Sequence, residues 1–293
     1  MGIQLFTKAN EFRLACEQMR RAGNSLSLVP TMGALHSGHA ALIRTAASLS
    51  THVAVSIFVN PTQFGPNEDF SRYPRTLDKD TECCEAAGAA FVFAPSALEM
   101  YPAGESTRVS VAGLTAGLCG ALRPGHFDGV ATIVTKFFVL AGTCTAVFGK
   151  KDYQQLKVIE RFAKDLLLPV RIVGHPIVRE PDGLALSSRN AYLSAQQRAQ
   201  ALGIVRGLSS AFCAFKAGVR QGKSLVETAA AELARHGLVP QYVSLVNAET
   251  LEPLGDRPVT ERALLAVAAL CGSTRLIDNV VLGEDPDPLQ ANA

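Results

Sequence analysis

The sequence has no long uninterrupted apolar run and no marked excess of charge, and each absence excludes a class of protein. The longest apolar stretch, 130–148, is broken by Lys136 and Gly142, so a helix followed by a buried strand explains it better than a membrane span. Residues 1–10 lack the charged-then-apolar pattern of a secretory signal. A formal net charge of +2 favours neither nucleic acid nor anionic lipid as a partner. We therefore expect a cytoplasmic protein that binds neither nucleic acid nor membrane.

Paired-cysteine motifs are also missing. The chain has seven cysteines, but no Cys-x-x-Cys pair and no Cys/His cluster with zinc spacing. Cys83 and Cys84 are adjacent, which is a poor arrangement for an ordinary disulfide. We expect seven reduced thiols, most of them packed in the core.

Two common nucleotide-binding motifs are absent. No Gly-x-Gly-x-x-Gly follows the first predicted strand, which argues against a dinucleotide cofactor. The segment 218–224 resembles a P-loop but has three residues between its glycines, where a P-loop has four. It also joins two predicted helices instead of leaving a strand.

Apolar, β-branched runs alternate with helical patterns through the first 180 residues. This alternation predicts an α/β fold with a Rossmann-like parallel sheet and helices on both faces. Ligands of such sheets bind beyond the C-terminal ends of the strands. The predicted strands are 25–29, 52–59, 90–94, 143–148 and 170–173, and the predicted helices are 8–22, 40–49, 77–88, 129–140 and 153–166.

The pattern changes after about residue 182. Two helical patterns precede three strand-like runs, which predicts a smaller C-terminal α+β domain. The helices are expected at 194–217 and 224–236, and the strands at 241–246, 263–269 and 275–281. We place the domains at 1–182 and 183–293 and expect a frayed tail from Gly283 onward.

Two histidines follow the first predicted strand of the sheet. His36 and His39 lie three residues apart, ahead of an Ala-rich helical stretch. In a strand–turn–helix unit this spacing places both imidazoles on one face at a helix N-terminus, where backbone N–H groups and the helix dipole favour an anion. Gly33 and Gly38 allow a ligand to approach the backbone closely. The arrangement suits a triphosphate, although surface or capping histidines fit the same four residues.

Amide side chains follow the second predicted strand, at Asn60 and Gln63. Their donors and acceptors suit a small polar substrate that carries hydroxyls and a carboxylate. The alternative is an ordinary turn, because Asn-Pro commonly starts one.

Two later segments carry groups that suit phosphate. Residues 149–152 supply a Gly, two lysines and an Asp at another predicted helix N-terminus. Gln155 lies about one turn further on, and we expect it to face the same crevice as Gln63. Residues 187–189 supply two hydroxyls and a guanidinium, which fit the oxygens of a transferring phosphate.

Two further groups have two interpretations each. Arg123 and His126 bind an anion or lie in a solvated loop. Asp78, Asp80 and Asp152 are metal ligands or helix caps, and the sequence does not decide between them.

Taken together, these segments resemble the pantoate–β-alanine ligases, also called pantothenate synthetases. The matching stretches are VPTMGALHSGH, SIFVNPTQFGPNEDF, YPRTL, FAPS, RPGHF, FGKKDYQQL, DGLALSSRNAYLS and LIDN. They are collinear and extend over nearly the whole chain. The His-x-Gly-His element alone would equally admit cytidylyltransferases, other adenylyltransferases and class I aminoacyl-tRNA synthetases. Lys150 departs from the resemblance, since the family usually has Glu there.

The resemblance implies a two-step reaction. ATP and pantoate would give pantoyl adenylate and pyrophosphate, and β-alanine would then attack the acyl carbon to give pantothenate and AMP. It also implies Mg²⁺ dependence, a cytoplasmic homodimer and a C-terminal domain that acts as a lid. A nucleotidyltransferase that stops at a nucleotide product and a non-catalytic nucleotide-binding relative are the alternatives.

The resemblance also implies the roles of individual residues. His39 would be the catalytic histidine, with His36 beside it, and Lys151 and Arg189 would supply positive charge. Pantoate and then β-alanine would contact Gln63. Pantoate would also contact Gln155 and Asn60. ATP would contact Met32, Gly33, Ala34, Leu35, His36, Ser37, Gly38, His39, Gly149, Lys150, Lys151, Asp152, Val178, Leu186, Ser187, Ser188 and Arg189.

Overall fold

The computed structural model describes residues 2–66 and 68–290. The chain forms two compact units, neither of which is continuous in sequence. The first consists of Met1–Thr115, Leu122–Lys150 and Gln155–Pro176, and the second of Ala116–Ala121, Lys151–Gln154 and Ile177–Ala293. The division into functional domains at residue 182 stays a prediction.

Strands and helices alternate from the N-terminus to His175, except that three helices separate β4 from β5. They are β1 (Gln4–Phe6), α1 (Ala9–Arg21), β2 (Leu26–Thr31), α2 (Ser37–Leu49), β3 (His52–Ile57), α3 (Leu77–Ala86), β4 (Phe91–Phe93), α4 (Ala97–Met100), α5 (Leu118–Leu122), α6 (His126–Ala141), β5 (Cys144–Gly149), α7 (Tyr153–Asp165) and β6 (Val170–His175). Short 3₁₀ turns occur at Pro61–Gln63 and Lys150–Asp152.

The first unit is built on a parallel sheet, which confirms the predicted fold class. Among the described residues its six strands follow the order β1-β4-β3-β2-β5-β6, and every neighbouring pair is parallel. The chain runs outward in one direction from β2 and returns to the other side of it at β5. The C-terminal ends of β2 and β5 therefore form the topological switch point, where open α/β sheets bind ligands.

β-Branched side chains hold this sheet together. Val29, Val55, Val92 and Val147 come from four strands and pack with Ile43 of α2 in one buried cluster. Because parallel strands are covered on both faces, their sequences are almost continuously apolar, as the sequence pattern predicted.

The second unit has an antiparallel sheet with two long helices, which confirms the predicted α+β composition. Its elements are α8 (Ala195–Lys216), α9 (Gly222–Arg235), β7 (Val239–Asn247), β8 (Ala263–Cys271) and β9 (Thr274–Leu282), with a 3₁₀ turn at Ser188–Tyr192. The strand order is β7-β8-β9. Leu208 of α8 and Leu225 and Leu233 of α9 pack with Leu265 and Val267 of β8.

The structure corrects the prediction of a frayed tail. Within 283–290, Glu284 forms an ion pair with Arg262, and the Asp285 carboxylate accepts the Val281 N–H at 2.8 Å. Pro288 is buried. These contacts keep the segment folded against the second unit, and residues 291–293 lie outside the described part of the chain.

No helix within the described residues is long and apolar enough to cross a membrane.

Candidate active site

A tight turn follows β2 at the switch point. Thr31 ends the strand, and its hydroxyl donates to the Ser56 carbonyl at 2.8 Å and accepts the Gly33 N–H at 3.2 Å. Gly33 has φ +83°, and a Cβ there would lie 3.0 Å from a carboxylate oxygen of Asp80. Ala34 is also left-handed, at φ +52°, which is uncommon for a residue with a side chain. The turn therefore needs both a glycine and an external support.

Asp80 supplies that support. This residue of α3 is only 3% exposed. Its Oδ2 accepts the Ala34 N–H at 3.0 Å and its Oδ1 accepts the Leu35 N–H at 2.8 Å, while the Thr76 hydroxyl donates to Oδ2 at 3.2 Å. Two backbone N–H groups of the predicted phosphate loop thus point at a carboxylate of the protein itself.

The two histidines lie together at the start of α2, as predicted. His36 is the N-cap and His39 is the third residue of the helix. Their ring centroids are 4.1 Å apart. His36 Nδ1 accepts the Gly38 N–H at 3.2 Å, and His39 Nδ1 accepts the His36 N–H at 3.4 Å. They form a capping box from two imidazoles, so the capping interpretation left open by the sequence is correct as far as Nδ1 is concerned.

This hydrogen-bond pattern assigns the imidazole tautomers. A nitrogen that accepts a backbone N–H carries no proton in the neutral ring, so the ring proton of His36 and of His39 lies on Nε2. Each ring therefore presents an N–H donor on the side opposite its cap. Capping therefore uses Nδ1 of each ring, and the predicted anion binding would use Nε2.

The 3₁₀ turn after β3 holds the predicted amide pair. Gln63 is 8% exposed, and its Nε2 donates to Met32 Sδ at 3.1 Å. Its Oε1 accepts from Asn60 Nδ2 at 3.0 Å. Gln63 is therefore adjacent to the first residue of the histidine loop.

Asn60 is fully buried and bonded within the protein. Its Nδ2 also donates to the Gly129 carbonyl at 3.1 Å, and its Oδ1 accepts from the hydroxyls of Tyr101 at 2.7 Å and Thr62 at 3.0 Å. These contacts favour a role for Asn60 in orienting Gln63; direct contact with a substrate stays a prediction.

Arg123 and His126 both donate hydrogen bonds to the Gln63 carbonyl of the same turn. Arg123 forms a bidentate ion pair with Glu68, in which both N–O distances are 2.6 Å. His126 Nδ1 donates to the Gln63 carbonyl at 2.8 Å, and its Nε2 accepts from Arg123 at 3.0 Å. This pattern corresponds to a neutral His126, because an arginine nitrogen can only donate. The sequence left anion binding and a solvated loop as alternatives, and the structure instead assigns both residues to internal contacts.

The charge of Arg123 also controls Glu68. Burial alone would raise the pKa of this carboxyl, but the hydrogen bonds and positive charge of Arg123 outweigh burial and lower the pKa below its ordinary value of 4.5.

Helix α6 approaches this turn with no side chain between them. A Cβ on Gly129 would lie 2.5 Å from the Thr62 carbonyl oxygen and 2.7 Å from the Gln63 nitrogen. Only glycine permits this contact.

The end of β5 forms the other side of the switch point. Gly149 ends the strand, and a Cβ on it would contact nothing within 4 Å. Lys150 begins the following 3₁₀ turn and is partly exposed. Gln155 lies in the first turn of α7 and is also partly exposed. The described contacts leave its predicted orientation toward Gln63 untested.

Several predicted nucleotide residues lie in the second unit, close to one another. The Leu186 N–H donates to the Val178 carbonyl at 3.0 Å, which closes a short loop. Ser187 caps the next 3₁₀ turn by accepting the Arg189 N–H at 3.3 Å. Ser188 and Arg189 are both partly exposed.

A buried ion pair supports Lys151, which belongs to the same unit. Arg179 and Asp278 have side chains only 3% exposed, with N–O distances of 2.7 and 3.1 Å. Asp278 also accepts the Asn279 N–H at 2.8 Å, and Asn279 Nδ2 donates to the Lys151 carbonyl at 2.8 Å. The LIDN segment thus fixes the backbone at Lys151, a role that the sequence did not reveal.

Within residues 2–66 and 68–290, no three or more His, Cys, Asp or Glu side chains group into a metal site. Both Asp80 oxygens already accept hydrogen bonds, whereas Asp78 and Asp152 are exposed. A carboxylate such as Asp152 would suit Mg²⁺ only where phosphates and water supply most of the other ligands, which is usual for Mg²⁺ bound to a nucleotide.

All seven cysteines are free thiols, as predicted, and five are buried. Burial raises the pKa of Cys16, Cys84 and Cys144 to about 12, so these thiols stay protonated at neutral pH.

Comparison with known proteins identifies one family. The model for the family described as Pantoate-beta-alanine ligase matches residues 4–281. A pantothenate synthetase from Myxococcus xanthus is 54% identical over 266 residues, which is 90% of this chain and 91% of that protein.

Two solved structures of proteins with these names are similar to this chain in fold. The crystal structure of pantothenate synthetase from Thermus thermophilus has a TM-score of 0.88 and 43% identity, covering 96% of this chain and 99% of that one. The pantoate-beta-alanine ligase from Francisella tularensis, complexed with beta-gamma ATP and beta-alanine, has a TM-score of 0.79 and 31% identity over 97% of this chain and all of that one.

Proposed function

This chain belongs to the pantoate–β-alanine ligase family, and on that premise we propose that it joins pantoate to β-alanine at the expense of ATP. The products are pantothenate, AMP and pyrophosphate. The observation that carries the proposal is the pairing of two histidines whose ring protons lie on Nε2, His36 and His39, with the amide of Gln63 next to the same loop.

The first step forms pantoyl adenylate. A carboxylate oxygen of pantoate bonds to the α-phosphorus of ATP as the bond to pyrophosphate breaks. Negative charge develops on the phosphate oxygens, and a fixed N–H donor at His39 Nε2 stabilises it without reorganisation. His36, Lys151 and Arg189 supply further donors and positive charge.

Residues on several loops hold the nucleotide. We assign this role to Met32, Gly33, Ala34, Leu35, Ser37 and Gly38 with the two histidines, to Gly149, Lys150, Lys151 and Asp152, and to Val178, Leu186, Ser187, Ser188 and Arg189. Mg²⁺ accompanies the triphosphate, and the exposed carboxylate of Asp152 belongs to the same set of residues. When bound, it neutralises charge on the phosphates.

Gln63 and Gln155 bind pantoate, and Asn60 holds Gln63 in place. In the second step the neutral amine of β-alanine bonds to the acyl carbon near Gln63. The bond between that carbon and the phosphate oxygen breaks, AMP leaves and the nitrogen loses a proton. No covalent enzyme intermediate is needed, which agrees with the raised pKa values of the buried thiols.

Three broader properties follow from family membership. We propose a homodimer, a cytoplasmic location and a C-terminal domain that closes as a lid. A lid has a physical purpose here, because an acyl adenylate that meets water is hydrolysed.

The test is stepwise product release. Purified protein is given ATP and Mg²⁺ with or without pantoate, and β-alanine is added afterwards. We expect pyrophosphate only with pantoate, and AMP release that accelerates on adding β-alanine. Pyrophosphate without pantoate would favour a different nucleotidyltransferase, and ATP binding without any turnover would favour a non-catalytic relative.

A further inference from the structure

We propose that Asp80 is a positioning residue for the adenylation step. Its buried carboxylate on α3 sets the backbone of the loop that carries His36 and His39, without contacting substrate. This inference rests on the proposed function, since it assigns a consequence for ATP chemistry to a contact within the protein.

The geometry resembles an anion bound by a peptide loop. Consecutive N–H groups at Ala34 and Leu35 converge on the two oxygens of Asp80, at 3.0 and 2.8 Å. Such concave N–H pairs commonly bind phosphate. Here the protein fills the position with its own carboxylate, so the phosphates of ATP depend on the histidine side chains and on amides further along α2.

The contact also explains the unusual backbone. Ala34 has φ +52°, a conformation that its Cβ disfavours. Two hydrogen bonds to a charged acceptor hold it there, since bonds of this kind are stronger than neutral ones. The turn leads directly into the His36 cap, so we expect a change in the turn to move both imidazoles.

A purely structural role is the competing explanation, and the helix provides a matched control. Asp78 and Asp80 both lie in the first turn of α3, where the negative charge of either carboxylate interacts favourably with the helix dipole. Asp78 is exposed, whereas Asp80 is buried against the loop. Asp78→Asn therefore removes the same charge from the same turn without touching the loop.

The experiment compares Asp80→Asn with Asp78→Asn in the full-length protein. In Asp80→Asn an N–H₂ group must face the N–H of Ala34 or Leu35. We expect single-turnover pyrophosphate release at saturating ATP and pantoate to fall about 10- to 100-fold, the cost of losing a charge-assisted hydrogen bond. We expect the pantoate KM to change less than about threefold, and amide exchange at Ala34 and Leu35 to accelerate. Asp78→Asn should match the wild type in all three.

A milder variant covers the case in which Asp80→Asn does not fold. Thr76→Val removes the hydroxyl that donates to Asp80 Oδ2 at 3.2 Å. It should slow the same step severalfold and leave the pantoate KM unchanged; an unchanged rate would overturn the proposal.

Two other results would also overturn it. One is an Asp80→Asn protein that unfolds at lower temperature but keeps the wild-type rate in its folded fraction. The other is unchanged exchange at Ala34 and Leu35. If the wild-type protein itself releases no pantoate-dependent pyrophosphate, the proposed function fails, and the exchange measurement still decides whether Asp80 sets the loop.

Discussion

At His36 and His39 one ring nitrogen, Nδ1, caps the helix, and we assign phosphate binding to the other, Nε2. Nδ1 accepts a backbone N–H at the start of α2, which leaves the proton on Nε2. The three-residue spacing matters because it places His36 at the N-cap and His39 at the third helical position. There His36 Nδ1 accepts the Gly38 N–H, and His39 Nδ1 accepts the His36 N–H.

Substitutions of His39 can separate these two functions. An asparagine at this position can replace Nδ1 as the cap acceptor through its Oδ1 but offers nothing in place of the Nε2 donor, whereas the longer glutamine side chain brings an N–H₂ group to the Nε2 position. We expect His39→Asn to lower the adenylation rate about 100- to 1000-fold with the fold intact, as for loss of one charge-stabilising donor. His39→Gln should recover part of that loss.

A control histidine is available at the opposite, N-terminal ends of the strands. His52 begins β3, and His52→Ala should leave the rate unchanged. A nearly normal rate in His39→Asn would contradict the role assigned to His39.

Gln63 is expected to act on pantoate rather than on ATP. Gln63→Ala removes one amide, so we expect the dissociation constant for pantoate to rise about threefold to tenfold, the usual cost of one neutral hydrogen bond. Calorimetric titration with each substrate measures this effect. Equal weakening of ATP and pantoate would argue against the assignment.

Sequence reasoning located these side chains but missed their supports. The His-x-Gly-His run and Gln63 stand next to strand ends, which local pattern can recognise. Asp80 was noted only as a cap or metal ligand, because its partners lie 45 and 46 residues away. No local pattern reveals a contact of that separation.

At the scale of elements, α6 and the turn Pro61–Gln63 pack directly against each other. Gly129 lets the helix contact the turn directly, Asn60 bonds to the helix backbone, and His126 bonds to the turn. The position of Gln63 is therefore set by α6 as much as by its own strand.

Gly129→Ala should disturb both stability and substrate binding. The new Cβ would overlap the Thr62 carbonyl, and overpacking of this kind costs about 1–3 kcal/mol of unfolding free energy. We also expect a higher pantoate KM, because the turn must move. Gly117→Ala is the control, since a Cβ there contacts nothing within 4 Å. An unchanged pantoate KM in Gly129→Ala would show that the contact between α6 and the turn does not affect pantoate binding.

The Arg123–Glu68 pair predicts a dependence of stability on pH. Because the pKa of Glu68 is lowered below 4.5 in the folded protein, its stabilising contribution is present above that value and is lost as the pH falls through the folded pKa. Glu68→Gln should be less stable than the wild type at pH 7, and the gap should narrow below about pH 4.5. Denaturant unfolding at several pH values measures it, with exposed Glu82→Gln as the control. A gap that does not depend on pH would mean that the charge of Glu68 is not what stabilises the turn.

Element prediction succeeded where apolar periodicity was strong and failed elsewhere. The strands from β2 to β9 were expected, but β1 was not, because it has three residues of which two are exposed. Helices α2 and α6 begin three residues earlier than expected, at Ser37 and His126. Their first turns contain the Gly and His residues of the motifs, which carry no helical periodicity.

At the scale of the whole chain, alternating strands and helices predicted the parallel sheet, and its observed order places the candidate nucleotide loops after β2 and β5 at the switch point. The make-up of the two units could not be predicted from sequence. Gln154 bonds to the backbone of Gly117 and Cys119, and Asn279 bonds to Lys151, so two short segments join the second unit across long sequence distances.

The proposed reaction depends on activation of the pantoate carboxylate as an acyl adenylate. Pantoate labelled with ¹⁸O in its carboxylate, turned over with ATP and β-alanine, tests this directly by mass spectrometry of the nucleotide product. We expect one ¹⁸O atom in the phosphate of AMP, because the carbon–oxygen bond breaks in the second step. Unlabelled AMP, or ¹⁸O in released phosphate together with ADP, would contradict it.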